Sequence, residues 1–165
     1  MPLTSAAVSL FAAAAICLAV IAFDAFRGRS IKVLGAGSAV LFAALGGYLT
    51  LIDSSLSGSA VKLTVDGGML AISLVSLAIR RPFTLQYARE MAQLPDFLKA
   101  NYIITGAWTL AFVLMVMANV LLIYLPGLPL WCGIAIAFAA RNSALYFTKW
   151  YPEYQRAKFA APSAT

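Results

Sequence analysis

Residues 102–125 read YIITGAWTLAFVLMVMANVLLIYL, Tyr102 to Leu125, without one charged side chain. An α-helix rises about 1.5 Å per residue, so this run covers the roughly 30 Å of bilayer hydrocarbon. A backbone in lipid must satisfy its own N–H and C=O groups, and one apolar run does so only as a helix. Working outward, four more runs of the same kind appear: Leu3 to Phe23, Val33 to Ile52, Val61 to Ile79 and Leu128 to Phe147. The fold class that follows is all-α, a bundle of five transmembrane helices in which residues 1–165 form one integral membrane domain.

The basic residues fall on alternate loops. Arg27, Arg29 and Lys32 follow the first run, Arg80, Arg81, Arg89 and Lys99 follow the third, and Lys149, Arg156 and Lys158 follow the fifth. The second loop has only Lys62 and the fourth has none. Lys and Arg in short loops are retained on the cytoplasmic side, so the N-terminus is expected outside and the C-terminus inside a bacterial cytoplasmic membrane. The formal charge of +6 therefore reads as topology and anionic-lipid contact, with no nucleic-acid partner. A hydrophobic share of 62% and a mean hydropathy of +0.88 leave no composition for a soluble domain. The first run is expected to stay as a helix and not act as a cleaved signal, because its basic cluster follows the apolar stretch instead of preceding it.

Metal and redox chemistry find little to work with. There is no His, and the two cysteines lie at different depths, Cys17 about 21 Å from the outer end of the first span and Cys132 near the outer end of the fifth. Disulfide geometry needs Cα atoms within about 7 Å, so both are expected as packing residues. No cofactor or metal site is expected. Without a His base, a metal-spaced cluster or a nucleophile elbow, the chain is read as no enzyme.

Gly35, Ala39, Ala43 and Gly47 recur every fourth residue. Such a ridge lets two backbones approach closely in lipid, and Ala12, Ala15, Ala19 and Ala22 of the first run offer a matching face. Intramolecular packing of the first two helices is the expectation, with a homo-oligomer as the alternative. On this reading Leu45 faces elsewhere, and Gly47→Ile is more disruptive than Leu45→Ile.

Between the third and fourth runs, Pro82 starts a pattern in which Phe83, Tyr87, Met91, Leu94 and Leu98 share one stripe, with Thr84, Gln86, Arg89 and Glu90 mostly elsewhere on the helix. One-sided apolarity with basic flanks predicts a short amphipathic helix over about 82–95, lying at the cytoplasmic headgroups. It is either a tether or a docking face for a membrane or cytoplasmic partner. Trp108, Trp131, Trp150 and Tyr102, Tyr124, Tyr146, Tyr151 fall mostly near span ends, as in an interfacial aromatic belt.

Ionisable groups inside spans are costly and mark candidate sites. Asp66 lies about 7 Å inside the third span with Lys62 one turn before it, and counting depth along alternating helices puts Asn119, Tyr48 and Ser9 level with it. A local Lys62–Asp66 pair is the plain alternative to a ligand-binding cluster. Arg141, with Asn142 beside it, lies about 9 Å from the inner end of the fifth span. It either snorkels to the headgroups or binds an anion or anionic lipid.

From Val61 onward the order of features resembles the intracellular septation protein A family of bacterial inner-membrane proteins. The residues that carry this are Lys62, Arg81–Pro82, Pro95, Asn101, Trp108, Ala118–Asn119, Leu125–Pro126, and a final helix closing with Tyr146, Lys149 and Pro152. The resemblance implies a multi-spanning protein of cell-envelope maintenance and septation, with no catalytic residues to carry over. The functional expectation is thus a non-enzymatic membrane protein working through lipid or partner contacts. The alternative is a small transporter or channel that uses the Asp66 cluster or Arg141.

Overall fold

Each apolar run becomes a helix because lipid leaves its backbone no other internal way to close its hydrogen bonds. The computed structural model describes residues 5–28, 32–86, 97–125 and 127–160, without the side chains of residues 86, 159 and 160. Helix α1 is Ser5–Phe26, α2 Val33–Leu51, α3 Gly58–Ala78, α4 Phe97–Tyr124 and α5 Leu130–Ala160, with a 3-10 turn at Phe83–Gln86 after α3. All five α-helices are long and apolar enough to cross a membrane, and the described residues contain no strand. This is the architecture of a multi-pass membrane protein. Large side chains such as Ile16, Leu18, Val40, Leu110 and Phe138 remain exposed around the bundle. In water so much apolar surface would drive association, whereas against acyl chains it is an ordinary lipid face.

The helices pack in chain order, α1 on α2, α2 on α3, α3 on α4 and α4 on α5. On α1 the inward stripe is Ala7, Leu10, Ala14 and Asp24, which are buried, with Cys17 and Ile21 half-buried between them. Ala7 and Leu10 meet Leu45 and Leu49 of α2 in one apolar cluster. The expected packing of α1 on α2 is present, with Gly35, where a Cβ would lie 3.9 Å from Ile21, and Ala39 buried; the rest of the predicted seam needs correcting on both helices. Ala12, Ala15, Ala19 and Ala22 all point outward, Ala43 is exposed, Gly47 has open space where a Cβ would stand, and Leu45 is core. The close approaches are instead at Gly46, where a Cβ would lie 3.1 Å from the Phe11 ring, and at Gly37, 2.7 Å from Ile72 of α3. Neighbouring helical positions differ by about 100° in direction, so a seam displaced by one residue uses a different glycine.

Against α4, helix α5 presents Ala140 and Ala144, which pack with Ala111, Trp108 and Met115. The Trp108 indole N–H donates to the Thr148 hydroxyl at 3.0 Å. Beyond the predicted span end at Phe147, α5 continues through Pro152 to Ala160, so Tyr146, Lys149 and Pro152 do not close it. Stacked pairs Phe147–Tyr151 (5.2 Å), just before the proline, and Trp150–Tyr154 (5.1 Å), across it, bridge successive turns, contacts of the i, i+4 kind that support a helix.

The ends of α1 and α3 are set by left-handed residues. Gly28 takes φ +65° after α1 and its N–H reaches Ala25 O. After α3, Arg81 N–H donates to Ser76 O and Arg80 N–H to Leu77 O, with Arg80 at φ 56°. That is the Schellman pattern with arginine where glycine is usual. The guanidinium adds a favourable positive charge at a helix C-terminus, against the roughly 1–2 kcal/mol that the left-handed conformation costs a residue with a Cβ.

Past Arg81 the chain turns inward. Pro82, Phe83 and Thr84 are buried. The Thr84 hydroxyl donates to Asn101 O at 3.0 Å and shares a 2.8 Å hydrogen bond with the Thr105 hydroxyl, while Phe83 N–H donates to Ser76 Oγ at 3.4 Å. Phe83 is therefore held in the bundle and does not contribute to an exposed docking face. The rest of the predicted amphipathic helix, with Tyr87, Arg89, Met91 and Leu94, lies outside the described residues.

Candidate functional site

Asp66 and Lys62 are four residues apart on α3, which places both on one face of that helix. Helix α4 lies between α3 and α5, and its Asn119 turns toward α3. The Asn119 amide donates to Asp66 Oδ2 at 2.7 Å and to Met115 O at 3.0 Å, so the carboxylate is fixed by a side chain that is itself tied to its own helix. Asn119 is buried and Asp66 half-buried.

Arg141 of α5 reaches the same place. Lys62, Asp66, Asn119 and Arg141 together line a groove of about 350 Å³ whose walls are Met115, Leu122, Leu130, Ile134, Ala137 and Phe138. Arg141 lies roughly 16 Å along α5 from Leu130, well inside the hydrocarbon zone by length. Among the described residues the ion pair within 4.0 Å is Lys32–Asp24, at 3.1 Å, so neither Arg141 nor Lys62 is closed onto Asp66. The groove thus holds two cations and one carboxylate, spatially separated, against apolar walls. Gly133 gives the site its shape, because a Cβ there would collide with Leu122, and the bare backbone lets Leu122 fold against α5. Comparison with family models, with curated proteins and with solved structures finds no match.

The remaining candidates are dispersed. Tyr48 of α2 is 41% exposed and is not among the groove's lining residues; the Ser9 hydroxyl donates to Ser5 O on its own helix. Asn142 points away from Arg141, donating to Phe138 O and lining a shallow depression with Ser143, Tyr146, Phe147 and Trp150. Depth along alternating helices located Asp66 and Asn119 at one level, but the arrival of Arg141 was not foreseen. Arg141 follows Leu130, Ile134, Ala137 and Phe138 on the face of α5 that lines the groove, at the three- and four-residue spacing of one helical face.

A second charged position was missed altogether. Asp24 is buried and pairs with Lys32, outside the first apolar run as read from hydropathy. Its signal was spacing: Ala7, Leu10, Ala14, Cys17, Ile21 and Asp24 recur by threes and fours, which continues the inward stripe of α1 to an acidic residue.

In the loop after α2, Asp53 Oδ1 accepts from the Ser55 hydroxyl at 2.5 Å and from Ser55 N–H at 2.8 Å. These bonds hold its carboxyl below the usual carboxylate range, the hydroxyl contributing most. The Ser57 hydroxyl then caps α3 by accepting from Ala60 N–H at 3.2 Å. This loop fixes where α3 starts, and hence the level of Lys62 and Asp66.

Proposed function

We propose that the chain is a non-enzymatic, multi-pass protein of a bacterial cytoplasmic membrane, N-terminus outside, that works by holding a lipid in the α3–α4–α5 groove. One observation carries this: Lys62, Asp66, Asn119 and Arg141, from three helices, meet in one groove with apolar walls. Charged groups at such depth persist where they bind something or line a path, and Arg and Lys beside apolar surface suit an amphiphile with a phosphate head. The resemblance through Lys62, Arg81–Pro82, Asn101, Trp108 and Asn119 extends the proposal to envelope maintenance or septation. Retained phospholipid in protein extracted with mild detergent tests the reading. Arg141→Ala combined with Lys62→Ala should lose bound lipid while melting like the parent, and equal retention refutes lipid holding.

A second reading uses the same groove. A carboxylate inside a span, Asp66, is also what a small transporter or channel would use, and solute flux into proteoliposomes abolished by Asp66→Asn would establish it over lipid holding.

A further inference from the structure

Resting on the lipid reading of this groove, we infer that its ligand is an aminophospholipid: a headgroup with a phosphate and a primary amine on one acylated glycerol. A purely anionic head would explain Lys62 and Arg141 and leave Asp66 working against them. The carboxylate is nevertheless held at the groove, fixed by Asn119 at 2.7 Å, which Met115 O fixes in turn at 3.0 Å. No cation closes on it within 4.0 Å among the described residues, so it keeps acceptor capacity for a ligand. A zwitterionic head satisfies all three charges at once, phosphate toward Arg141 and Lys62, ammonium toward Asp66.

The kind of amine follows from the donors it offers. A primary ammonium has three N–H groups to give to a carboxylate, whereas a quaternary ammonium has none and is recognised by aromatic cages. Among the described residues, Phe138 is the one aromatic ring lining the groove. The site is therefore built for hydrogen bonds and not for a trimethylated cation. A space of about 350 Å³ sits at the small end of ligand sites, enough for a head and the first chain carbons, with the rest of the acyl chain along α4 and α5.

The test is lipid retention by the full-length protein in detergent, using phosphatidylethanolamine, its N-methyl and N,N-dimethyl forms, phosphatidylcholine and phosphatidylglycerol, all with identical acyl chains. Affinity should fall stepwise with each methyl, to at least about tenfold below phosphatidylethanolamine at phosphatidylcholine, which is the worth of one hydrogen bond to a charged group. Asp66→Asn should erase that series and leave phosphatidylglycerol binding intact, while Arg141→Gln should weaken every lipid. Soluble glycerophosphoethanolamine should not displace the lipid; displacement at equal concentration would assign the site to a water-soluble zwitterion and overturn the inference. A flat methylation series in the unmutated protein, or phosphatidylglycerol bound most tightly, overturns it while sparing the lipid reading. Retention of all five lipids no better than in the Arg141→Gln protein refutes both.

Discussion

Gly46→Ile should destabilise the bundle, and Gly47→Ile, one residue on, should not. A Cβ at position 46 would stand 3.1–3.2 Å from three ring carbons of Phe11, inside the roughly 3.5–4.0 Å at which carbon atoms attract best. The three further carbons of isoleucine would occupy the space of the ring itself. Phe11 is 38% exposed, so the ring can swing partly toward lipid, but it then gives up its seat against α2. Overpacking of this kind costs about 1–3 kcal/mol. At Gly47 nothing lies within 4 Å of the Cβ position. The helix-propensity gain of replacing glycine, about 0.5 kcal/mol, is common to both variants and cancels between them. A difference near 2 kcal/mol corresponds to roughly 4–8 °C in a chain of this size. Thermal unfolding of both purified proteins in one detergent, followed by circular dichroism, measures it. Adding Phe11→Ala to Gly46→Ile should recover part of the loss. Equal melting temperatures, or a lower one for Gly47→Ile, would show that the α1–α2 seam is not where the structure puts it.

Asn119→Leu should lower stability by about 1 kcal/mol, and a double-mutant cycle with Asp66→Ala should give a coupling of about 0.6–1.7 kcal/mol, the range seen for side-chain hydrogen bonds within membranes; strict additivity would deny the 2.7 Å contact. Because the carboxyl of Asp53 is depressed in the folded state, its contribution is present above the ordinary value near 3.9 and is lost as pH falls through the folded value. The α2–α3 loop should therefore become more open to protease below about pH 4, with Asp53→Asn insensitive to pH; parallel profiles for the two proteins would rule this out. In a Cys17→Ala, Cys132→Ala background, Ser54→Cys should react with an impermeant thiol reagent in sealed cells and Arg156→Cys only after permeabilisation, and the opposite pattern would invert the proposed orientation. Ser54 is preferred to Ser57, whose hydroxyl caps α3.

The number of helices and their approximate limits were legible because hydrocarbon imposes a length and a composition that Tyr102 to Leu125 meets without ambiguity. Rotation about each helix axis was much less so. In a soluble bundle, polarity marks the outside; here both sides are apolar, and a row of small residues looks the same whether it faces a helix or a lipid. Ala12, Ala15, Ala19 and Ala22 face outward while Ala7, Leu10 and Ala14 face inward, since the seam is decided by where Phe11, Leu45 and Leu49 find room. Polar positions carried more information, because burying them unpaired is costly. Depth alone put Asp66 and Asn119 at one level, and the two are joined by a hydrogen bond. Depth failed for Arg141, which lines the groove on the same face of α5 as Leu130, Ile134, Ala137 and Phe138, and for Tyr48, which sits on α2 and does not line it. Pro152 misled for a local reason: a proline that often ends a helix lies inside α5 here, spanned by the stacked Trp150–Tyr154 pair and preceded by Phe147–Tyr151.

Because each helix rests on its neighbours in sequence, α1 on α2 and α3 chiefly on α4, the bundle can be built in the order in which the chain is synthesised. Helix α1 finds its main contact surface once α2 enters the membrane, and α3 once α4 does; no early segment has to wait for a distant one. Contacts close in sequence need little loop closure. The groove is the exception: its polar set is incomplete until α5, which follows α3 and α4, brings Arg141 into its lining. Until then α3 and α4 already hold the carboxylate in place, so the groove gathers its full set of charges only in a chain whose α5 has entered the membrane.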